Sequence, residues 1–364
     1  MSLFRSSIDG LVPYEPGKPV EAVQRELGLE RVVKLASNEG PFPPFPGALE
    51  AMQRAALELN RYPDGGVWAL RTELAERHGV AFEELIVGAG ADGIIDLLAQ
   101  ATLDPGDQVV CGWPSFPSYV LTAAKLGAGA VRVPLRDHTY DLDGLLAAIG
   151  PRTKLVYVCH PNNPTGTANG RAELLAFLDR LPEHVLCVLD QAYFEYIDDP
   201  DYLDGLDLFR EGRRIAVLRT FSKIYGLAGL RVGWAVAPGD VAAATSKVRR
   251  AFDVAATAQA AALASLDDPQ EIARRRELNA TGRARLAEIL GGLGLEPVGP
   301  ARGNFLFADV GGGRQLFERL QREGIIVRPL DGFGAPEAIR VSVGTPDENE
   351  VFAVALGHVL SGVS

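Results

Sequence analysis

Seven short apolar runs, separated by helix-like stretches, are the sequence feature that most restricts the fold. The runs are rich in Val, Leu and Ile and lack polar alternation, which is typical of strands buried on both faces of a mostly parallel sheet. Strands and helices in repetition predict a layered α/β domain. The predicted strands are Leu85–Gly88, Gln108–Cys111, Ala130–Val133, Lys154–Cys159, Val185–Asp190, Ile215–Arg219 and Val232–Ala237, with helices such as Gly93–Thr102, Ser118–Leu126, Leu142–Ile149 and Ala172–Arg180 between them.

The pattern changes after about residue 265. A long helical tract is followed by three strand-like runs and one further helix, which predicts a smaller α+β domain. Because single cores rarely grow beyond roughly 250–300 residues, a chain of 364 residues is expected to form two domains. We predict an N-terminal arm over residues 1–30 that joins the small domain, a large domain over 31–265 and a small domain over 266–364. The small-domain elements are expected at Pro269–Leu290, Asn304–Ala308, Arg314–Glu323, Ile325–Arg328 and Ile339–Val343, and the Pro-rich stretch Val12–Pro19 is expected to be part of the arm.

Composition and charge restrict the partners and the compartment. A net charge of −11 argues against nucleic acid and anionic membranes as partners. The longest weakly polar run, Val254–Leu266, is shorter than the ~20 residues that span a bilayer, and the first residues lack the apolar stretch of a signal peptide. Cys111, Cys159 and Cys187 have no C-x-x-C spacing, and the five His form no H-x-x-x-H pair. We therefore expect a cytoplasmic protein with buried free thiols and no metal site.

A glycine-rich turn, Gly88–Gly93, follows a predicted strand and precedes a predicted helix. It matches G-x-G-x-x-G, but the next strand ends at Val110–Trp113 without the acidic residue that a dinucleotide site needs for the ribose. The backbone N–H groups that open a helix attract a phosphate in any case. The turn therefore favours a monophosphate site, with a dinucleotide site or a plain tight turn as the alternatives.

Polar segments follow three further predicted strands, at His160–Gly166, Asp190–Tyr193 and Thr220–Lys223, and Arg231 comes shortly after the last. Each segment alone is compatible with an ordinary turn. In a parallel sheet, however, all three strands deliver these residues to the same carboxyl edge, where ligands bind. A phosphate-binding turn, a lysine, a buried carboxylate and an arginine together suit pyridoxal 5′-phosphate (PLP) especially well.

The chemistry of PLP assigns a role to each group. Lys223 would link to the cofactor aldehyde and, once the substrate amine replaces it, move the substrate proton as acid and base. Asp190 would face the ring nitrogen and keep it protonated, since an opposite charge nearby shifts a pKa by roughly 1–3 units. Tyr193 and Asn163 would donate to the phenolate oxygen of the ring.

With these motifs the chain resembles the fold-type I PLP-dependent aminotransferases, and within them it is most similar to the histidinol-phosphate aminotransferases. The resemblance covers nearly the full length. It implies an α/β fold in which a mostly parallel seven-stranded sheet domain is joined to a smaller α+β domain. The segments that carry it are Leu11–Pro19, Lys34–Glu39, Arg61–Gly65, Gly90–Asp92, Asn162–Gly166, Ser222–Lys223, Leu227–Arg231 and Arg340–Gly344.

The resemblance also implies how the cofactor is held. The backbone N–H groups of Ala91 and Asp92, together with Ser222 and Arg231, would bind its phosphate. Phe116 would stack on its ring, at a position where the family usually has tyrosine.

The same resemblance implies a homodimer and a substrate site. Tyr62 would reach the cofactor phosphate of the neighbouring subunit, so that the two subunits share the site. Arg340 would bind the anionic group of the substrate, assisted by Arg328, Tyr14 and Asn38, and an arginine fork accepts a phosphate or a carboxylate.

These features predict transamination between histidinol phosphate and 2-oxoglutarate, as in histidine biosynthesis. The substrates would be a small-molecule amino donor and a 2-oxo acid. An aromatic amino acid aminotransferase is the first alternative, and a decarboxylase of a phosphorylated amino acid is the second. A PLP-binding transcription regulator would need a basic DNA-binding segment, and a nicotinamide dehydrogenase depends on the glycine-rich turn alone. One departure from the family, the segment Gly40–Pro46, places Phe42 and Phe45 either at the active-site entrance or packed within their own loop.

Overall fold

The computed structural model describes residues 3–11 and 17–362. Its centre is a seven-stranded sheet of order β2-β8-β7-β6-β5-β3-β4. Only β8 runs antiparallel to its neighbours, and the other pairs are parallel. The strands are β2 (Leu85–Gly88), β3 (Gln108–Trp113), β4 (Gly129–Pro134), β5 (Thr153–Cys159), β6 (Leu186–Asp190), β7 (Ile215–Thr220) and β8 (Gly233–Val236).

Helices pack against this sheet and extend beyond it. The predicted helices of the sheet layer are confirmed to within a few residues, whereas several others, such as α2 and α3, are not among the predicted elements. The helices are α1 (Val20–Leu27), α2 (Pro46–Ala56), α3 (Trp68–His78), α4 (Gly90–Thr102), α5 (Ser118–Lys125), α6 (Leu142–Ala148), α7 (Arg171–Asp179), α8 (Gly205–Arg210), α9 (Gly239–Val248), α10 (Ala256–Ser265), α11 (Pro269–Gly292), α12 (Gly313–Arg322) and α13 (Pro346–Ser361).

The remaining strands form two small sheets. β11 (Arg328–Pro329), β12 (Ala338–Ser342) and β9 (Phe305–Asp309) make an antiparallel sheet. β1 (Val33–Lys34) pairs in parallel with β10 (Ile325–Ile326). A second core is formed by residues of these small sheets together with residues of α11, α12 and α13, so this part of the protein has its own apolar interior.

Side-chain capping explains where two of the C-terminal helices, α11 and α13, begin. α11 starts with Pro269 after Asp268, whose carboxylate accepts a hydrogen bond from the N–H of Glu271. α13 starts after Thr345, which forms a reciprocal capping box with Glu348. Both patterns satisfy N–H groups that the helix itself leaves unpaired.

The elements around residue 31 cross the predicted domain boundary. α1, inside the predicted arm, packs through Val23 against Ile326 of β10. β1 lies inside the predicted large domain yet pairs with β10, because strand pairing follows spatial neighbours rather than chain order. The division at residue 31 therefore stays a prediction.

The cysteines are buried and free, as expected. In residues 3–11 and 17–362, no helix combines the length and apolar character needed to cross a membrane.

Candidate active site

A cavity of about 150 Å³ lies at the carboxyl edge of the large sheet, where it meets the small sheets. The ends of β5, β6 and β7 and the start of α4 all face it, as the parallel arrangement predicts. The cavity brings together twelve of the fourteen predicted site residues. They are Asn38, Ala91, Asp92, Phe116, Asn163, Asp190, Tyr193, Ser222, Lys223, Arg231, Arg328 and Arg340.

The other two predicted residues have different positions. Tyr62 does not line the cavity; its side chain is 81% exposed and stacks on Phe252 with ring centroids 4.6 Å apart. Tyr14 lies outside the described residues. A contribution of Tyr62 to a neighbouring subunit therefore stays a prediction.

The amino end of α4 forms one end of the cavity. Within the described part of the chain, no side chain caps this helix, so its first N–H groups are available to an anion. Gly90, with φ +78°, comes so close to Arg231 that a Cβ there would lie 2.7 Å from the guanidinium Nη2. Arg231 also donates to Ser222 Oγ over 3.4 Å. Ala91, Asp92, Ser222 and Arg231 thus lie together at the start of α4, an arrangement that could hold an anion.

Asp190 also lines the cavity. It is the last residue of β6 and is 4% exposed. Tyr119 Oη donates to its Oδ2 over 2.6 Å, and the N–H of Ala192 donates to its Oδ1 over 3.1 Å. Burial raises the pKa of Asp190 above its ordinary value, whereas these two donors and Lys223 oppose that rise. The carboxylate is therefore a buried proton acceptor with both oxygens oriented.

The side chain of Lys223 is half-buried, and its amine meets two hydrogen-bond acceptors. Lys223 Nζ donates to the carbonyl oxygens of Ser37 (3.3 Å) and Asn38 (3.1 Å). Burial, together with the positive charges of Arg340 and Arg231, lowers the pKa of Lys223 to about 7. A lysine with this pKa is partly neutral near neutral pH, which is the form that attacks a carbonyl carbon.

Tyr193 and Asn163 are each oriented by one partner. Tyr193 Oη accepts a hydrogen bond from Asn38 Nδ2 at 2.9 Å, which leaves its own proton for a ligand. Asn163 Oδ1 accepts from Arg340 Nη1. Because an arginine can only donate, this contact sets the amide orientation and turns Asn163 Nδ2 towards other acceptors.

Two buried arginines, Arg328 and Arg340, also line the cavity. Arg328 and Arg340 are register partners on β11 and β12, and their side chains share the cavity. Arg340 Nη2 also donates to the carbonyl of Ala36 over 2.7 Å. The ring of Phe333 lies beside both, with its centroid 5.3 Å and 5.2 Å from the two guanidinium carbons. An aromatic wall next to paired guanidinium groups keeps water away and strengthens their attraction for an anion.

Several residues of the site were not predicted from the sequence. Tyr119, Ala192 and Phe333 touch the groups described above, and Ser37 supplies a carbonyl to Lys223. Asn304 Nδ2 donates to the carbonyl of Asn38 at 3.1 Å and joins β9 to the site. The only sequence signal for Tyr119 was its place three residues after Phe116, at the start of a helix beside the sheet edge.

The Pro-rich segment does not place its rings at this cavity. Phe45 is 1% exposed and belongs to the core of the large sheet. Phe42 lies against Arg274 and Arg275 and lines a different cavity, of about 440 Å³, between the long helix α11 and the start of α13. The structure therefore supports neither expectation as stated, because Phe45 packs into the large core and Phe42 lies against α11.

Comparison with known proteins places the chain in one family. The family model "Aminotransferase class I and II" matches residues 30–356. A histidinol-phosphate aminotransferase of Moorella thermoacetica is 45% identical over 98% of this chain and 93% of its own length, and one of Akkermansia muciniphila is 46% identical over 96% of each chain. The crystal structure of a histidinol-phosphate aminotransferase from Sinorhizobium meliloti in complex with pyridoxal-5′-phosphate is 31% identical, with a TM-score of 0.89 over 100% of this chain and 99% of that one.

These similarities confirm the predicted fold class and the predicted resemblance. The aspartate aminotransferase from Thermus thermophilus with maleate has the same architecture, with a TM-score of 0.86 and 26% identity over 99% of this chain and 100% of that one. The alternative of a nicotinamide dehydrogenase finds no support in any of them. The chain belongs to the aminotransferase class I and II family.

Proposed function

We propose that this aminotransferase uses PLP to transfer an amino group between histidinol phosphate and 2-oxoglutarate. The observation that carries the proposal is one cavity that brings together a buried carboxylate, a half-buried lysine of lowered pKa and the uncapped start of a helix. The names of the relatives at 45% and 46% identity support the choice of histidinol phosphate.

The donor set fits the cofactor. A phosphate suits the start of α4 with Ser222 and Arg231, where Gly90 leaves no room for a side chain. A ring nitrogen that carries a proton suits the oriented carboxylate of Asp190, and an aldehyde suits Lys223. When bound, PLP supplies an aromatic ring that accepts electrons from the reacting carbon of the substrate.

Lys223 is proposed to move the proton. The carbonyls of Ser37 and Asn38 hold Nζ in place, and a pKa of about 7 lets the same nitrogen accept the substrate proton and return it. General acid–base catalysis is most effective when the pKa of the group is close to the working pH.

Asp190, Tyr193 and Asn163 are proposed to set the charge distribution on the ring. The Tyr119 hydroxyl and the Ala192 N–H orient the carboxylate of Asp190, which can hold a proton at the ring nitrogen. Tyr193 Oη and Asn163 Nδ2 are left to donate to an anionic oxygen. Phe116 is proposed to cover one face of the ring.

The arginine pair is proposed to bind the anionic group of both substrates. Arg328 and Arg340 offer several N–H donors from neighbouring strands, a set that accepts a phosphate as well as a carboxylate. This property is needed because histidinol phosphate lacks a carboxylate, whereas glutamate has one. Asn38, and Tyr14 from outside the described residues, are proposed to assist.

The substrate assay tests this proposal. We expect the enzyme to form glutamate from 2-oxoglutarate with histidinol phosphate as amino donor, with a higher kcat/KM than with phenylalanine. A higher kcat/KM for phenylalanine would make the chain an aromatic amino acid aminotransferase. Release of CO₂ without glutamate would identify a decarboxylase instead.

We further propose a cytoplasmic homodimer with a shared site, a large domain over residues 31–265 and a small domain over 266–364. The exposed ring of Tyr62, which stacks on Phe252, supports the shared site, because tyrosine side chains are enriched at protein interfaces. Mixing the Tyr62→Ala and Lys223→Ala variants tests it. A hybrid dimer would contain one intact site and regain activity, whereas no gain on mixing would refute the shared site.

A further inference from the structure

We infer that Arg275 is a positioning residue for Lys223: from the long helix α11 it holds together the two chain segments that place the lysine amine. This inference rests on the proposed function, since it concerns the reactivity of Lys223. Arg275 does not line the cavity that contains Asp190 and Lys223, and it touches none of the groups proposed to meet the cofactor. Its effect would pass through the backbone.

The three guanidinium nitrogens of Arg275 donate hydrogen bonds to three different parts of the chain. Arg275 Nη1 donates to the carbonyl of Ile224, the residue after Lys223, over 3.0 Å. Its Nη2 donates to the carbonyl of Pro43 over 2.7 Å, and its Nε donates to Glu271 Oε1 on its own helix over 2.7 Å. One side chain thus links the segment after β7, the Pro-rich segment and α11.

The two linked segments press directly against each other. A Cβ on Gly226, at φ +71°, would lie 3.0 Å from the carbonyl oxygens of Phe42 and Pro43. A Cβ on Gly40 would lie 3.3 Å from the carbonyl oxygen of Lys223. The spacing between the segments is therefore set by backbone contact and by the guanidinium that bonds to both.

This spacing decides where the lysine amine lies. The backbone of Lys223 belongs to one segment, while the carbonyls of Ser37 and Asn38 that receive its Nζ begin the other. If the segments separated, the amine would lose these acceptors and become more accessible to water. The position of the Lys223 amine thus depends on the two hydrogen bonds of Arg275, which lies outside the active-site cavity.

Arg275 is buried well enough to act as a fixed link. It is 4% exposed, and its guanidinium lies over the ring of Phe45 with 4.4 Å between the guanidinium carbon and the ring centroid. One turn further along α11, Asn279 Nδ2 donates to the carbonyl of Gly303, next to β9. The helix that carries Arg275 is thereby also attached to the small sheet.

The neighbouring Arg274 provides a matched control. It forms a two-bond contact with the same Glu271, at 2.7 Å for each bond, but its side chain is 51% exposed. It also lies near Phe42, with 5.1 Å from guanidinium carbon to ring centroid. Arg274 therefore shares the helix, the acid and the aromatic neighbour of Arg275 but makes neither carbonyl contact.

The test compares Arg275→Met, Arg275→Lys and Arg274→Met in the full chain. Each protein is stripped of cofactor and mixed with PLP, the link to Lys223 is trapped with borohydride, and the labelled peptide is quantified by mass spectrometry across pH. Loss of a charge-assisted hydrogen bond that positions the amine is expected to slow capture by about tenfold in Arg275→Met. The pH midpoint of capture is expected to rise, because water around the amine favours its charged form.

Arg274→Met is expected to capture PLP like the unaltered protein. Arg275→Lys keeps the positive charge but has fewer hydrogen-bond donors, so its capture rate and pH midpoint are expected to lie between those of Arg275→Met and Arg274→Met. If Arg275→Met does not fold, Arg275→Lys is measured in its place. A folded Arg275→Met, or Arg275→Lys in its place, with unchanged rate and midpoint would overturn the inference alone. Absence of capture at Lys223 in the unaltered protein would overturn the proposed function and this inference with it.

Discussion

The hydrogen bond between Tyr119 and Asp190 allows a prediction with a matched control. Tyr119→Phe removes one hydroxyl from a buried ring and keeps its shape. The lost bond is 2.6 Å long and joins a phenol to a carboxylate that is 4% exposed. Hydrogen bonds to charged groups contribute about 1.5–3 kcal/mol, so we expect the pKa of Asp190 to rise by about 1–2 units.

This rise would weaken the enzyme in a defined way. Asp190 would hold the proton itself instead of leaving it on the cofactor ring nitrogen, and the ring would accept electrons less readily. We expect kcat to fall by about 10- to 100-fold, the equivalent of the same 1.5–3 kcal/mol in the barrier. The assay is kcat with histidinol phosphate and 2-oxoglutarate, together with the visible spectrum of the bound cofactor between pH 5 and 9.

Tyr157→Phe is the control. The rings of Tyr157 and Tyr119 stack with centroids 4.4 Å apart, and among the described residues the Tyr157 hydroxyl has no hydrogen-bond partner. We expect this variant to keep its kcat and spectrum, with Tm measured for both to exclude unfolding. Equal kcat values for the two variants would refute the role assigned to the Tyr119 hydroxyl.

Three further outcomes are expected. The rate at which the cofactor-free protein captures PLP at Lys223 should rise about tenfold per pH unit below pH 7 and level off above it. The reason is that only the neutral amine reacts and that its pKa is about 7. A plateau that begins near pH 10 would contradict the lowered pKa. Gly90→Ala should weaken PLP binding about tenfold or more, measured as Kd by fluorescence, because its Cβ would displace Arg231 from the phosphate site; an unchanged Kd would argue against that site. Gly334→Ala should lower the free energy of unfolding, measured in urea, by about 2–5 kcal/mol. The reason is that Gly334 has φ +90° and that a Cβ there would lie 2.0 Å from Trp113 Nε1. A loss below about 1 kcal/mol would mean that the turn relaxes at little cost.

Much of the site could be predicted because strand ends are easy to recognise. Asp190, Asn163 and Lys223 each follow an apolar run, and parallel strands bring their carboxyl ends to one edge. The family resemblance added Arg340 and Arg328, which lie on different strands of a separate sheet. Tyr119 and Phe333 could not be predicted in the same way, since a single aromatic residue in a helix or turn carries no sign of the face it presents.

The amino-acid sequence by itself determined the strands of the large sheet and several helices between them, the chemistry available at the sheet edge and the family. These properties depend on local hydrophobic pattern and residue type, which are visible along the chain. Only the tertiary structure decided that Tyr119 donates to Asp190, that two backbone carbonyls hold Lys223 and that Arg275 links the segments around it. Each of these contacts joins residues more than fifty positions apart, so its existence depends on how layers pack and how deeply each group is buried.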